Sequence, residues 1–368
     1  MRFGCLLVLA CLSPMALGVE ATAPAQKTAA AVRSKTIAKG VQFLRKVQND
    51  NGSYSAELGP GITSLVTTSL LRQGIPEQDP IISRALNYLE QFVRDDGGIY
   101  RADSIYRNYE TSLAMMCFAE CKAERFKRYL SRAEAFVKQI QWDAEEGHEL
   151  SSPSYGGAGY GKHKRPDLSN TTFMVEALKS AGVEADDPAM QRALIFISRC
   201  QNLETHHNTL PFNNKINDGG FYYTGAAGGS SQAGQTENGG LRSYGSMTYA
   251  GLKSMIYAGL DKTDPRVKAA TEWISKNYTL DVNPGMQAKY DGLYYYYHTF
   301  AKALSVLGTS SVKDAEGVEH DWKAELISEL AKRQQSDGSW INESSERWLE
   351  GDAELVTAYA LLSLSYCK

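Results

Sequence analysis

The sequence predicts an all-α fold, an α/α toroid in which six helical hairpins form an inner and an outer ring of helices. Three observations predict it. First, a stretch near the start, Lys39 to Tyr54, reads as the end of an amphipathic helix with Val41, Leu44 and Val47 on one stripe, closed by Gln48, a Gly turn and an aromatic. The same grammar returns almost at the other end, where Leu330, Gln334, Gly338, Ser339 and Trp340 keep the gaps of Leu44, Gln48, Gly52, Ser53 and Tyr54. Second, a Thr recurs at one place in alternate helices (Thr63, Thr111, Thr171, Thr248, Thr299 and Thr357), each followed six residues on by a small residue. Third, the punctuation is helical: Asp-Pro opens helices at Asp79, Asp187 and Asp264, and Gly74, Gly182, Gly259 and Gly308 close them.

Taken in order, outer helices are expected at 36–48, 80–94, 129–141, 188–201, 264–277 and 322–335. The Thr-bearing helices alternate with them, and the small residues (Ser69, Cys117, Ala177, Ser254, Ser305, Ser363) let these pack closely as the inner ring. The 368 residues then form one closed repeat domain over 36–368 rather than two or three domains. Residues 19–35 are Ala-rich without a clear apolar stripe and are expected to be a linker or a frayed helix. Loops 142–168 and 202–243 are long, polar and rich in Gly, and are expected at the cavity rim and part of its floor.

Residues 1–18 read as a secretory signal, with Arg2, an apolar run from Phe3 to Leu12 and a small-residue site at Ala16-Leu17-Gly18; a lipid anchor at Cys11 is the rival reading. A secreted or periplasmic protein without a transmembrane span is expected, and a monomer. A formal net charge of −3 without a long basic run gives no reason to invoke nucleic acid. Cys117 and Cys121, four apart on an apolar run, read as small buried thiols, and no Cys/His spacing suggests zinc.

The Lys39–Tyr54 stretch and its partner at 330–340 resemble the QW repeats of the squalene cyclase and protein prenyltransferase superfamily. Gln141 and Gln201 keep the pattern in the middle, where Val93 and Tyr278 replace the Gln. The resemblance implies the toroid, with each Gln tying helix ends together. Asp291 to Thr299 also looks like the Tyr-His-Thr segment of prenyltransferase β subunits, in which the His is a zinc ligand. The positions of that site's Asp and Cys fall here at Gly245 and Met247, so neither a metal nor a cofactor is expected. The DxDD acid of squalene cyclases is absent as well. Asp95-Asp96 and Asp186-Asp187 are the nearest approaches, and the latter pair reads as helix caps. The reactive CGEQ segment of the complement thioester domain is absent too.

Aligning the inner helices on Thr turns the preceding residues to the cavity mouth: Ile62, Glu110, Asn170, Met247, His298 and Val356, with Glu354 close by. Candidate ligand contacts are Tyr109, Asn170, Arg242, Tyr244, Met247, Tyr294 and Asp352; candidate catalytic groups are His298 as base, Tyr297 as acid, and Glu110. Glu110 also suits a helix N-terminus without any chemistry. Four consecutive Tyr, 294–297, cannot all face a core, so some must meet the cavity. The expected activity is the binding of an apolar (isoprenoid) or carbohydrate small molecule in a Tyr-lined central cavity. Alternatives are an enzyme of the same fold, either a divergent terpene cyclase or transferase or a polysaccharide lyase-like eliminase, and a non-catalytic interaction platform.

Overall fold

The computed structural model describes residues 23–161 and 165–368. The expected signal peptide, 1–18, lies outside the described residues. Twelve α-helices alternate between two rings among them. The outer set is α1 (Ala23–Val47), α3 (Pro80–Glu90), α5 (Lys127–Gln139), α7 (Pro188–Arg199), α9 (Pro265–Lys276) and α11 (Trp322–Arg333). The inner set is α2 (Pro60–Arg72), α4 (Arg107–Cys121), α6 (Leu168–Ser180), α8 (Gly245–Tyr257), α10 (Leu293–Leu307) and α12 (Ala353–Ser365). Each inner helix packs on the next, and α12 packs back on α2, so the ring is closed. Two short strands, β1 (Val312–Lys313) and β2 (Glu319–His320), pair antiparallel between α10 and α11.

The outer helices begin as the Asp-Pro signals predict. Asp79, Asp187 and Asp264 accept from Ile81 N, Ala189 N and Arg266 N, each satisfying a backbone donor that the first helical turn leaves free. The first outer helix starts earlier than expected. Residues 23–35, read as a linker or frayed helix, are the beginning of α1, and Arg33 Nε docks them onto Leu364 O at 2.8 Å. Apolar residues line one side of each outer helix: Ile82, Leu86 and Leu89 of α3 and Leu326 and Leu330 of α11 are completely buried. The four cysteines of the described residues are free thiols, three of them buried.

The repeated Gln joins one outer helix to the next. Gln48 Nε2 donates to Gly52 O of its own turn and to Ile81 O in the first turn of α3, at 3.1 and 2.8 Å. Gln141 does the same to Gly156 O and Ala189 O, and Gln201 to Gly219 O and Arg266 O. Gln334 donates to Gly338 O and to Thr36 O of α1, both at 2.9 Å, which closes the outer ring across the chain ends. Both amide hydrogens are used each time. The turn Gly has positive φ (89° at Gly52, 95° at Gly338), and a Cβ there would collide with Arg84 O or Lys39 O of the neighbouring outer helix. Where Gln is missing, other side chains make the joint. Arg132 of α5 donates to Arg94 O and Asp95 O beside Val93, and Tyr278 OH donates to Glu325 Oε2 of α11.

The recurring Thr fastens the inner helix to the same turn. Thr63, Thr111, Thr171, Thr248 and Thr357 accept through Oγ1 from the backbone N–H of Tyr54, Ile99, Ala158, Phe221 and Trp340. The aromatics at the repeat ends reach back to the outer helix, Tyr54 OH to Leu44 O and Trp340 Nε1 to Leu330 O. Thr299 breaks the series. Its hydroxyl donates to Tyr296 O within α10, and Tyr296, one turn earlier, bonds the turn through its hydroxyl to Thr279 O. The α10 register is thus one turn from the one that Thr alignment gives, and Ser305, expected at the tight helix contact, is exposed.

Two joints measure this arrangement. Gln334→Ala removes the hydrogen bonds to Gly338 O and Thr36 O and is expected to cost about 2 kcal/mol in urea-unfolding free energy. Gln48→Ala should cost a similar amount. If Gln334→Ala left the urea midpoint in place, the ring closure would not depend on the side-chain tie.

Candidate functional site

The six inner helices present their N-terminal turns to one end of the ring, and a cavity of about 420 Å³ opens there. The walls are aromatic. Tyr109 of α4 meets Phe173 of α6 at 5.1 Å between centroids and 87° between planes, and Tyr295 of α10 meets Tyr359 of α12 at 5.9 Å and 56°. Loops complete the wall: Tyr106 and Tyr160 stand edge to face, and Tyr223, Gln232 and Tyr244 come from the long 202–243 loop and the start of α8. Phe173 and Tyr359, one turn down their helices, form the floor. The long loops therefore make rim and wall, whereas the expected contribution of loops to the floor is taken by helix side chains.

The phenols are tied to their neighbours. Tyr295 OH lies 3.1 Å from Ser169 Oγ, Tyr109 is hydrogen-bonded to Tyr359, and Tyr223 to Asp167. Burial pushes the phenols of Tyr109, Tyr223, Tyr295 and Tyr359 well above their usual range, so they are neutral.

Three carboxyls stand at helix starts around the cavity. Glu110 in the first turn of α4 accepts from Arg101 N and Ser104 Oγ, and burial raises it above the usual carboxylate range. Asp167 caps α6, accepting from Asn170 N and Asn170 Nδ2, and burial raises it to about 6. Glu350 reaches from the loop before α12 to cap α10, accepting Tyr294 N and Tyr295 N at 2.9 and 2.8 Å and Asn342 Nδ2 at 2.6 Å. Burial raises Glu350 to about 7 despite these donors. Beside it, Trp348 and Leu349 lie over the cavity with left-handed backbones (φ 56° and 66°), held by Arg347, which bonds Asp291 Oδ2 and Gln232 Oε1, each at 2.7 Å.

Of the residues expected at the site, Tyr109, Glu110, Asn170, Tyr244 and Met247 line the cavity together with Ile62. The others stand elsewhere. His298 is buried one turn below, its ring stacked 5.7 Å from Tyr359 and its Nδ1 without a partner. Burial, then Lys253 and Arg72, push its imidazole well below the usual value, so it is neutral. Tyr297 is buried and donates to Leu280 O, and Tyr294 packs edge-on against Tyr297. Arg242 is exposed, with Nε on Gln235 O. Asp352 caps α12 and accepts Ser55 Oγ, which also bonds Glu354; Val356 is buried in the ring. The physical reason for the His298 and Tyr297 corrections is the α10 register: in it Tyr295, not His298, precedes the fastening residue, and Tyr295 reaches the cavity. Sequence reasoning missed Glu350, Phe173 and Tyr359 and did not single out Tyr295 within its run of four Tyr; positions two residues after the Thr would have found Phe173 and Tyr359 only.

Below the floor, the ring axis is polar. Glu176 of α6 pairs with both Lys253 of α8 and Lys302 of α10, all three buried. Deeper still, Arg72 bonds Glu120 at 3.0 Å and also Tyr366. Burial pushes Lys253 down to about 7 and Lys302 well below its usual value. Among the described residues no group of three His, Cys, Asp or Glu is arranged to hold a metal, and no helix is long and apolar enough to cross a membrane.

A family model of the squalene-hopene cyclase C-terminal domain matches residues 59–224. No curated protein matches the sequence. Among solved structures, a D-mannose isomerase superposes with a TM-score of 0.55 at 14% identity, over 95% of this chain and 99% of that one. A glycosyl hydrolase family 88 protein from Bacteroides vulgatus gives 0.49 at 10% identity, over 91% and 98%. A variant of the type II terpene cyclase MstE from Scytonema, in complex with geranylgeranyl dihydroxybenzoate, gives 0.39 at 13%, over 93% and 99%. The architecture is the α/α toroid, and residues 59–224 are similar to the squalene-hopene cyclase C-terminal domain.

Two substitutions test the buried charges. Glu350 is raised from 4.5 to about 7, so its protonated form favours the folded chain. That contribution is whole below about pH 4.5 and is lost as pH rises through about 7. The stability difference between wild type and Glu350→Gln should fall by roughly 3 kcal/mol between about pH 4 and 8, followed by urea unfolding. A flat difference would mean that Glu350 titrates in the folded chain as it does in the unfolded one. Glu176→Gln removes the acceptor that Lys253 and Lys302 share and should lower the urea-unfolding free energy at neutral pH by roughly 1–3 kcal/mol.

Proposed function

We propose that this protein is an exported receptor for one apolar small molecule of the isoprenoid class, held in the aromatic cavity at the N-terminal end of the inner ring. The observation that carries the reading is the wall itself: nine of its 21 residues are aromatic, and most of their polar tips are spent on one another or on the protein. Ring faces and aliphatic side chains (Ile62, Met247, Leu355) are left for a ligand, and these reward area removed from water rather than hydroxyl-by-hydroxyl recognition. The mouth supports the same ligand class. Leu58, Tyr106, Trp348 and Leu349 line the cavity yet remain 38–49% exposed, which offers an apolar molecule a continuous path inwards.

A second reading adds turnover of such a ligand by proton transfer. One observation favours it: Glu350, raised to about 7, is a wall acid that can hold a proton at neutral pH. An eliminase built on His298 and Tyr297 is not proposed, because neither side chain reaches the cavity.

The test is native mass spectrometry of the chain purified from its own envelope fraction, with farnesol titrated into the stripped protein while Trp348 fluorescence is followed. A lipid-class mass released on denaturation, or saturable quenching by farnesol that Trp348→Phe abolishes, is expected. Release of a glycan, or binding of oligosaccharides with no response to farnesol, would overturn the isoprenoid reading. Conversion of the bound compound, lost in Glu350→Gln, would establish the second.

A further inference from the structure

We propose that the α6 corner of the cavity is a hydrogen-bond-accepting subsite, with Asn170 Oδ1 receiving an O–H or N–H carried by the ligand. This rests on the cavity being the ligand site and names the polar group the ligand must bring.

Asn170 lines the cavity and is only 2% exposed. Its Oδ1 is the one wall atom among the buried side-chain atoms that lack a hydrogen-bond partner in the described residues; the others belong to Ser64, Gln201, Asn202, Asn208, Ser254 and His298, none of which lines the cavity. The side chain is not free to turn its amide over. Nδ2 donates to Asp167 Oδ2 at 2.8 Å while the Asn170 backbone N–H donates to Asp167 Oδ1 at 2.9 Å. The Tyr160 phenol stands beside the same amide. With Nδ2 held by Asp167, the carbonyl oxygen is left as the unpaired acceptor of a cavity-lining residue. A flip would set Oδ1 against the Asp167 carboxyl, acceptor against acceptor.

The orientation defines the ligand chemistry. A buried carbonyl left unpaired loses the hydrogen bonds it would make in water, so a ligand that donates to it regains what a hydrocarbon or an ether cannot. Sites built this way discriminate strongly against analogues that lack the donor. The same pole gives no welcome to an anionic headgroup, because the carboxyl of Asp167 stands directly behind the amide. The ligand is therefore an isoprenoid alcohol or amine, with its apolar body against Phe173, Tyr295 and Tyr359.

The experiment compares four probes of one carbon skeleton on the stripped full chain by isothermal titration calorimetry: farnesol, farnesylamine, farnesyl methyl ether and the corresponding hydrocarbon. The proposal expects farnesol or farnesylamine to bind about tenfold tighter than the ether and the hydrocarbon, and whichever of the two binds tighter identifies the donor. Asn170→Leu should bring all four within about twofold of one another. The wild-type series decides by itself should that variant not fold. An ether or hydrocarbon that binds as tightly as the alcohol and amine overturns the subsite while the isoprenoid reading stands. Failure of all four to bind removes both.

Discussion

Everything in this molecule hangs on a primary amide with two hydrogens. At four of the six joints a Gln side chain at the end of one outer helix donates one hydrogen to the carbonyl of its own Gly turn and the other to a carbonyl of the next outer helix, in its first turn at three joints and at Thr36 within α1 at the fourth. The two acceptors belong to the turn that ends one helix and to the body of the next, so each tie sets how successive outer helices meet. A single residue therefore ends a helix, shapes a turn and fixes the angle between successive hairpins. Repeated round the circle, that angle brings the first and last repeats together, and Gln334 on Thr36 O makes the closure.

Closure creates both the cavity and its electrostatics. Six inner helices point the same way, so one end of the ring gathers their N-termini and the unsatisfied N–H groups that come with them. Asp167, Glu350 and Asp352 answer those donors from the cavity side or its margin. Burial holds Asp167 and Glu350 above the ordinary carboxylate range, so the capping groups reduce the charge they bring into an aromatic space. The ring axis below is filled by the Glu176–Lys253–Lys302 cluster, to which three different inner helices each contribute one member. Removing one member would leave the others buried without their partner.

Much of the fold was legible from local chemistry. Asp-Pro helix starts, Gln-turn-aromatic joints and inner-helix Thr all act over a few residues, so their spacing in the chain is their spacing in space. Positions just before the Thr stand in the cavity wall in α2, α4, α6 and α8, as Ile62, Glu110, Asn170 and Met247. The same rule misplaced His298 because Thr299 does not fasten its turn; Tyr296 does, by a phenol reaching a carbonyl 17 residues back. Nothing in the local pattern distinguishes a Thr that fastens from one that bonds within its own helix.

The sequence by itself determined the helices, their alternation and the repeat that makes a toroid, since each depends on contacts close along the chain. Only the tertiary structure decided which residues share the cavity. Glu350 meets α10 across more than fifty residues, Tyr359 stacks on His298, and Asn170 is left with an unpaired oxygen while Asp167 holds its amide. Those facts depend on ring closure and on one turn of helix register. A one-turn change carries a side chain about 5.4 Å along the helix axis, from the cavity wall into the core beneath it.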